Sequence, residues 1–190
     1  MYHKLAVSLT TLFEQGSSAE EIREQYVYGA ELLISSLVDF IILVVTGYVF
    51  HRLPETFVFL LFFCPLRSCA GGYHAPSYLS CTLIFSIYYV LICMMVQVMP
   101  GEIQMVVIAL SVLVILLFAP VEDSNKKLGK RREKVRQKCL CRMGVELIVY
   151  MVVVSLLGFG MLSTYITISF GSVCSLLLLG VLRKKWRKQI

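Results

Sequence analysis

The stretch IQMVVIALSVLVILLFA, residues 103–119, runs for seventeen residues without a charge. An α-helix rises 1.5 Å per residue, and about 20 mostly apolar residues, with a range of roughly 17–25, carry it across the hydrocarbon core of a bilayer. Five more runs of this kind occupy about 30–50, 55–69, 82–99, 144–162 and 164–182. Composition agrees with them: 58% of the 190 residues are hydrophobic and 16% charged, against about 45–50% and about 25% in soluble domains. A soluble protein of this length has too much surface to hide so much apolar side chain. Disorder, collagen and a disulfide-stapled secreted scaffold are excluded by the same figures. The expected fold is an all-α integral membrane protein with six transmembrane helices.

The net charge of +6 is concentrated in two blocks. Residues 120–142 hold nine Lys/Arg and three acids, and residues 183–190 hold five Lys/Arg and no acid. Such blocks also suit nucleic acid, but between apolar spans they orient the chain, with positive loops inside. The expected partner surface is therefore the lipid bilayer, not nucleic acid. Counting from the basic blocks puts both termini and the loop 70–80 in the cytoplasm, and the turns at 100–102 and 163 outside. Glu31 and Asp39 lie in the first run, where an acid is costly in lipid, so they are expected to face other helices. Residues 1–28 lack the apolar core and cleavage site of a signal peptide. They read as an amphipathic cytoplasmic segment with a surface helix at 5–13, followed by a capping box of Ser18 and Glu21. The six-helix domain then covers 29–190, with a basic loop at 120–142.

One segment departs from the bland pattern: RSCAGGYHAPSYLSC, residues 67–81. Gly71 and Gly72 permit turns closed to other residues. Pro76 disfavours helix at Ala75 and suits the first turn of the next helix. Cys81 then falls about one turn into the third span. Helix N-termini and nearby imidazolium groups lower a cysteine's pKa from about 8.5, and His74 supplies the imidazole. A continuous helix would hold residues 74 and 81 roughly 10 Å apart, beyond the ~3 Å that proton transfer needs. The loop offers a way to fold His74 back over the helix start. By spacing alone, a loop merely lined by one histidine and one cysteine is the simpler reading. The seven cysteines are odd in number and are expected as free thiols. Cys139-x-Cys141 has no second Cys or His pair nearby, so neither a metal site nor any other cofactor is expected.

The motif Arg67…Gly71-Gly72-x-His74-Ala75…Cys81 resembles the signature of the AgrB family. A second stretch, APVEDSNKK at 119–127, is similar to that family's Pro-Val-Glu followed by lysines. Length, six spans and the basic loop agree, so the resemblance covers essentially the whole chain. It implies a membrane-embedded cysteine endopeptidase of a Gram-positive quorum-sensing system, acting near the cytoplasmic side of the cell membrane. Its partner would be an AgrD-like precursor with an amphipathic leader, a central Cys or Ser, and an acidic tail. Cys81 would attack the bond before the tail with His74 as general base, and the precursor's own nucleophile would close a thiolactone or lactone on the resulting thioester. The resemblance also marks Arg67, Gly71 and Gly72 as supporting residues and Glu122, Lys126 and Lys127 as candidates beside them; a homodimer is an expectation from family likeness alone. The basic loop is a plausible dock for the acidic tail. A third residue to orient His74 stays open among Glu122, Asp123, Asp39 and Glu31, or is absent. A peptide exporter, suggested by Glu31 and Asp39, and a metal enzyme using His74 with cysteines are the competing functions.

Overall fold

The computed structural model describes residues 20–73, 78–121 and 131–189. These residues form six helices: α1 (Glu20–Val49), α2 (Leu53–Ala70), α3 (Tyr78–Met95), α4 (Gly101–Phe118), α5 (Arg132–Leu157) and α6 (Met161–Gln189). Five are long and apolar enough to cross a membrane, and the apolar stretch Leu79–Met95 of α3 is a shorter sixth. Leu33, Leu61, Met95 and Leu156 stand well out from the bundle, an outer surface that suits lipid and not water. The chain is an all-helical membrane protein, as its composition requires.

The helices overrun the hydropathy windows in instructive ways. The backbone of α1 is helical from Glu20, so the 28/29 boundary marks no break; the surface helix at 5–13 and the Ser18 cap lie outside the described residues. α3 ends at Met95 instead of continuing to 99, and residues 96–100 connect it to α4 without regular structure. α5 begins at Arg132, so the second half of the basic block is helix and not loop. Lys, Arg, Glu and Gln are good helix formers; their charge excludes them from lipid, not from a helix. The reversal between the last two helices falls at 158–160 rather than at Ser163. Gly158, at φ 72°, closes α5 by donating to the Val154 carbonyl at 2.9 Å. Ser163 instead sits in the first turn of α6, its hydroxyl accepting the Gly160 N–H at 3.0 Å.

α6 is the most enclosed helix, packed against α2 and α4 and more lightly against α5. Its buried face carries Thr164, Thr167, Ser169 and Ser172 among Tyr165, Phe170, Val173 and Leu177. Small and hydroxyl residues allow close backbone approach within a membrane; the Ser169 hydroxyl reaches the Phe59 carbonyl of α2 at 3.2 Å. Between α2 and α3, Phe59, Phe63, Phe85 and Tyr89 form a ladder of rings with neighbouring centroids 5.0–6.4 Å apart. α1 reverses into α2 through 50–52, and Gly47 there lies flat against Thr56. At one end of the bundle Gly101 lies against the Phe159 ring, and buried Gln104 bonds the Met99 carbonyl at 2.8 Å and the Thr164 hydroxyl at 3.2 Å. The 71–73 segment, Val121 and the Leu176–Gly180 turn of α6 meet at the other end. The connections expected on opposite sides of the membrane are thus separated.

Candidate active site

Arg67 stands in the last turn of α2, and its guanidinium donates to the carbonyls of both Gly71 and Tyr73. A planar fork presents separate donors to two acceptors in a fixed geometry, where a lysine offers one compact point charge on a flexible stem. Between those carbonyls the backbone turns through Gly71 (φ 72°, ψ −148°) and Gly72 (φ 114°). Both conformations lie where side chains are rarely accepted. Space forbids a side chain as well: a Cβ on Gly72 would meet the Leu176 carbonyl oxygen at 2.7 Å and the Arg67 Nη1 at 2.9 Å. The glycine pair read from sequence as a turn is therefore required by conformation and by crowding.

Three elements hold this segment. Gly71 donates back to the Arg67 carbonyl at 3.2 Å, closing α2. Gly71 and Val121 form a parallel bridge, with the Val121 N–H on the Ala70 carbonyl at 3.0 Å. The Tyr73 N–H reaches across to the Leu176 carbonyl of α6 at 2.9 Å, and the Arg183 guanidinium covers the Tyr73 ring at 5.1 Å from its centroid. Gly180 lies directly behind: a Cβ there would come within 2.8 Å of the Tyr73 nitrogen and 2.9 Å of the Gly72 Cα.

Cys81 is the fourth residue of α3, half-buried and in no disulfide. Two hydroxyl contacts set the register of its helix. Tyr88 bonds Ser172 of α6 at 2.8 Å, and Tyr89 donates to Thr56 of α2 at 2.7 Å. Asp39 of α1 packs against Thr82, the residue after Cys81, with its Oδ1 buried and without a hydrogen-bond partner. Of the residues singled out from sequence, Arg67, Gly71 and Gly72 come together, and Cys81 begins the helix that follows. His74, Glu122, Asp123, Lys126 and Lys127 lie outside the described residues.

Sequence reasoning missed Tyr73, Val121, Leu176, Gly180 and Arg183. Tyr73 and Val121 lie inside the stretches 67–81 and 119–127 and Arg183 opens the basic tail, but none was given a role there; Gly180 is one of two glycines inside an apolar helix. It also missed a polar cluster between α2 and α5, where the Cys69 and Cys139 thiols lie against each other. Beside them Arg142 bonds the Pro65 carbonyl at 3.2 Å, and Glu146 is buried. Cys139 is buried and Cys141 exposed, so two residues that share no helix face cannot converge on one metal. Among the described residues no group of three or more His, Cys, Asp or Glu is arranged so that it could hold a metal ion.

The family model of AgrB, Accessory gene regulator B, matches residues 4–182. "Putative AgrB-like protein 2" of Clostridium perfringens (strain 13 / Type A) is 30% identical over 127 residues, covering 62% of this chain and 59% of that protein. "Putative AgrB-like protein" of Clostridium perfringens (strain SM101 / Type A) is 29% identical over 145 residues, covering 69% and 68% respectively. The chain thus spans about three fifths of the first relative's length. No solved structure matches. A family match that leaves only eleven of 190 residues outside it, on a helical membrane scaffold, decides the affiliation: this chain belongs to the accessory gene regulator B family.

Proposed function

We propose that this chain is a membrane-embedded cysteine endopeptidase that removes the acidic tail of an AgrD-type precursor and promotes closure of the remaining peptide into a thiolactone or lactone. The observation that carries the reading is the anchoring of 71–73. Its last residue, Tyr73, precedes His74, and only 74–77 separate it from α3, which bears Cys81. Helix α2 ends at Ala70 and residues 72 and 73 are not helical, so no continuous helix runs from Arg67 to Cys81. This supports a general base held from one side and a nucleophile held from the other.

In the first step the Cys81 sulfur attacks the carbonyl carbon before the tail. His74 takes the thiol proton and delivers it to the departing amine. The C–N bond breaks, a C–S bond forms, and the tail leaves with a free amino terminus. The precursor's own Cys or Ser then attacks the thioester, its proton passes by way of His74 to Cys81, and the ring closes as the enzyme is restored. A thioester lies uphill of an amide, so tail removal pulls the sequence forward, and restricted water at a membrane boundary protects the intermediate. Backbone N–H groups at the start of α3 are natural stabilisers of the oxyanion. Arg67 serves by shaping the loop, since its guanidinium engages two loop carbonyls.

Docking of the acidic tail falls to the basic region, on the cytoplasmic side in this reading, with the membrane the cytoplasmic one. Lys126 and Lys127 belong to it, with Glu122 just before them, and the exposed Arg132, Lys134, Arg136 and Lys138 on the first turns of α5 continue it. The test uses purified protein in nanodiscs and a synthetic precursor. Cys81→Ala and His74→Ala each abolish tail release while the protein still inserts, and a hydroxylamine-labile acyl adduct forms on wild-type Cys81. Normal cleavage by Cys81→Ala refutes the assignment. The buried Oδ1 of Asp39 favours the second reading, a peptide exporter; cyclic product formed without any vesicle gradient rejects pure transport.

A further inference from the structure

We infer that α6 is the common support setting the spacing between the two reacting groups, with Gly180 and Arg183 as positioning residues for the segment that leads into His74. This rests on the reading that His74 and Cys81 do the chemistry.

Ser172, Leu176, Gly180 and Arg183 follow one another at intervals of four, four and three residues, a single stripe along a helix. Ser172 holds α3 through Tyr88 at 2.8 Å, seven residues beyond Cys81 and on the same face. Leu176 accepts the Tyr73 N–H at 2.9 Å. Gly180 lets the loop lie on the bare backbone of α6; the atoms a Cβ would meet at 2.8–2.9 Å are the Tyr73 nitrogen and the Gly72 Cα and carbonyl carbon. These are backbone atoms and cannot swing aside as a side-chain tip does. Arg183, the first charge after the apolar run of α6, then covers Tyr73 from above at 5.1 Å. One helix thus touches the nucleophile's helix at one level and the base's loop at the next. The first residue of the basic tail therefore has a role beyond orientation.

Restoring ordinary contact after Gly180→Ala moves the loop by about 0.7 Å or more. A misplacement near 1 Å costs a catalytic site on the order of 10²-fold. The experiment uses the full chain in nanodiscs and a synthetic peptide with an amphipathic leader, a central cysteine and an acidic tail. Tail release gives kcat and KM, and site-resolved mass spectrometry gives the rate of Cys81 alkylation by iodoacetamide. Gly180→Ala is expected to elute as wild type and melt within a few degrees of it, to lose about 10- to 100-fold in kcat with KM within about twofold, and to alkylate Cys81 at the rate of His74→Ala. Tyr88→Phe and Arg183→Gln are expected to lose a few-fold in kcat, and Arg183→Lys to recover part of it. Gly144→Ala, whose Cβ would meet nothing within 4 Å, serves as the helix-glycine control and matches wild type.

Wild-type kcat and alkylation in Gly180→Ala overturn the inference, as does a rise in KM at constant kcat. If Gly180→Ala does not fold, Tyr73 decides: low kcat in Tyr73→Ala with wild-type kcat in Tyr73→Phe supports the inference, and wild-type kcat in both overturns it. If His74→Ala itself leaves cleavage and Cys81 alkylation unchanged, the catalytic reading beneath it has failed instead.

Discussion

Replacing Gly71 by alanine perturbs the candidate site at its tightest point. The residue sits at φ 72° and ψ −148°, close to a region populated essentially by glycine, where another residue costs about 1–3 kcal/mol. Its new Cβ would stand 2.3 Å from the Val121 carbonyl oxygen and 3.3 Å from the carbonyl carbon. Val121 must retreat, which sacrifices its 3.0 Å bond to the Ala70 carbonyl, worth about 0.5–1.5 kcal/mol. The two effects sum to about 2–4 kcal/mol against the anchored segment. That shifts the anchored-to-released ratio by about 30- to 1,000-fold. Because the helices do not depend on the bridge, melting in detergent should fall by only a few degrees while precursor cleavage in nanodiscs collapses. Turnover by Gly71→Ala within threefold of wild type would show that the anchor does not govern the site.

Three further outcomes test the scaffold and the docking surface. Gly47→Ala drives a Cβ to 2.0 Å from the Thr56 hydroxyl and 2.9 Å from its Cβ. The overpacking should destabilise the α1–α2 pair by about 1–3 kcal/mol, read as a lower melting temperature with unchanged turnover per folded molecule. Gln104→Leu removes two donated bonds, to Met99 and Thr164, and two accepted ones, from Tyr150 and Thr167 at 3.4 Å. At about 0.6 kcal/mol for each membrane-buried bond the loss is about 2 kcal/mol, measured by unfolding in mixed micelles; unchanged stability would remove the network's structural role. Lys126→Gln combined with Lys127→Gln should raise KM for a precursor with an acidic tail and flatten its salt dependence, because screening acts on exposed charge. An equal effect on a precursor with a neutral tail would contradict docking by charge.

Much of this molecule is legible residue by residue. The bilayer imposes a length and a polarity on every crossing, so each span announces itself within its own twenty residues; α4 needed nothing beyond 103–119. The glycine pair at 71–72 and the proline at 76 likewise report local backbone demands, and they placed a turn before Cys81. The misplaced boundaries were failures of one local rule standing in for another. Hydropathy stops at the charges of α5, but helix formation does not, so Arg132 belongs to a helix that the lipid criterion could not see. Ser163 looked like a break and is instead a hydroxyl cap in the first turn of α6.

The contacts of 71–73 belong to a different category. Val121 and Leu176 follow Gly71 by fifty and by more than a hundred residues, and neither carries a mark that would pair it with the loop. Their meeting depends on α6 packing beside α2, close enough for one backbone to lie on another. Periodicity and propensity sum over neighbours along the chain and are blind to that distance. Sequence alone made this chain a helical membrane protein with a glycine turn ahead of a cysteine; only the packing of the helices chose Gly180, whose missing side chain leaves room for the loop.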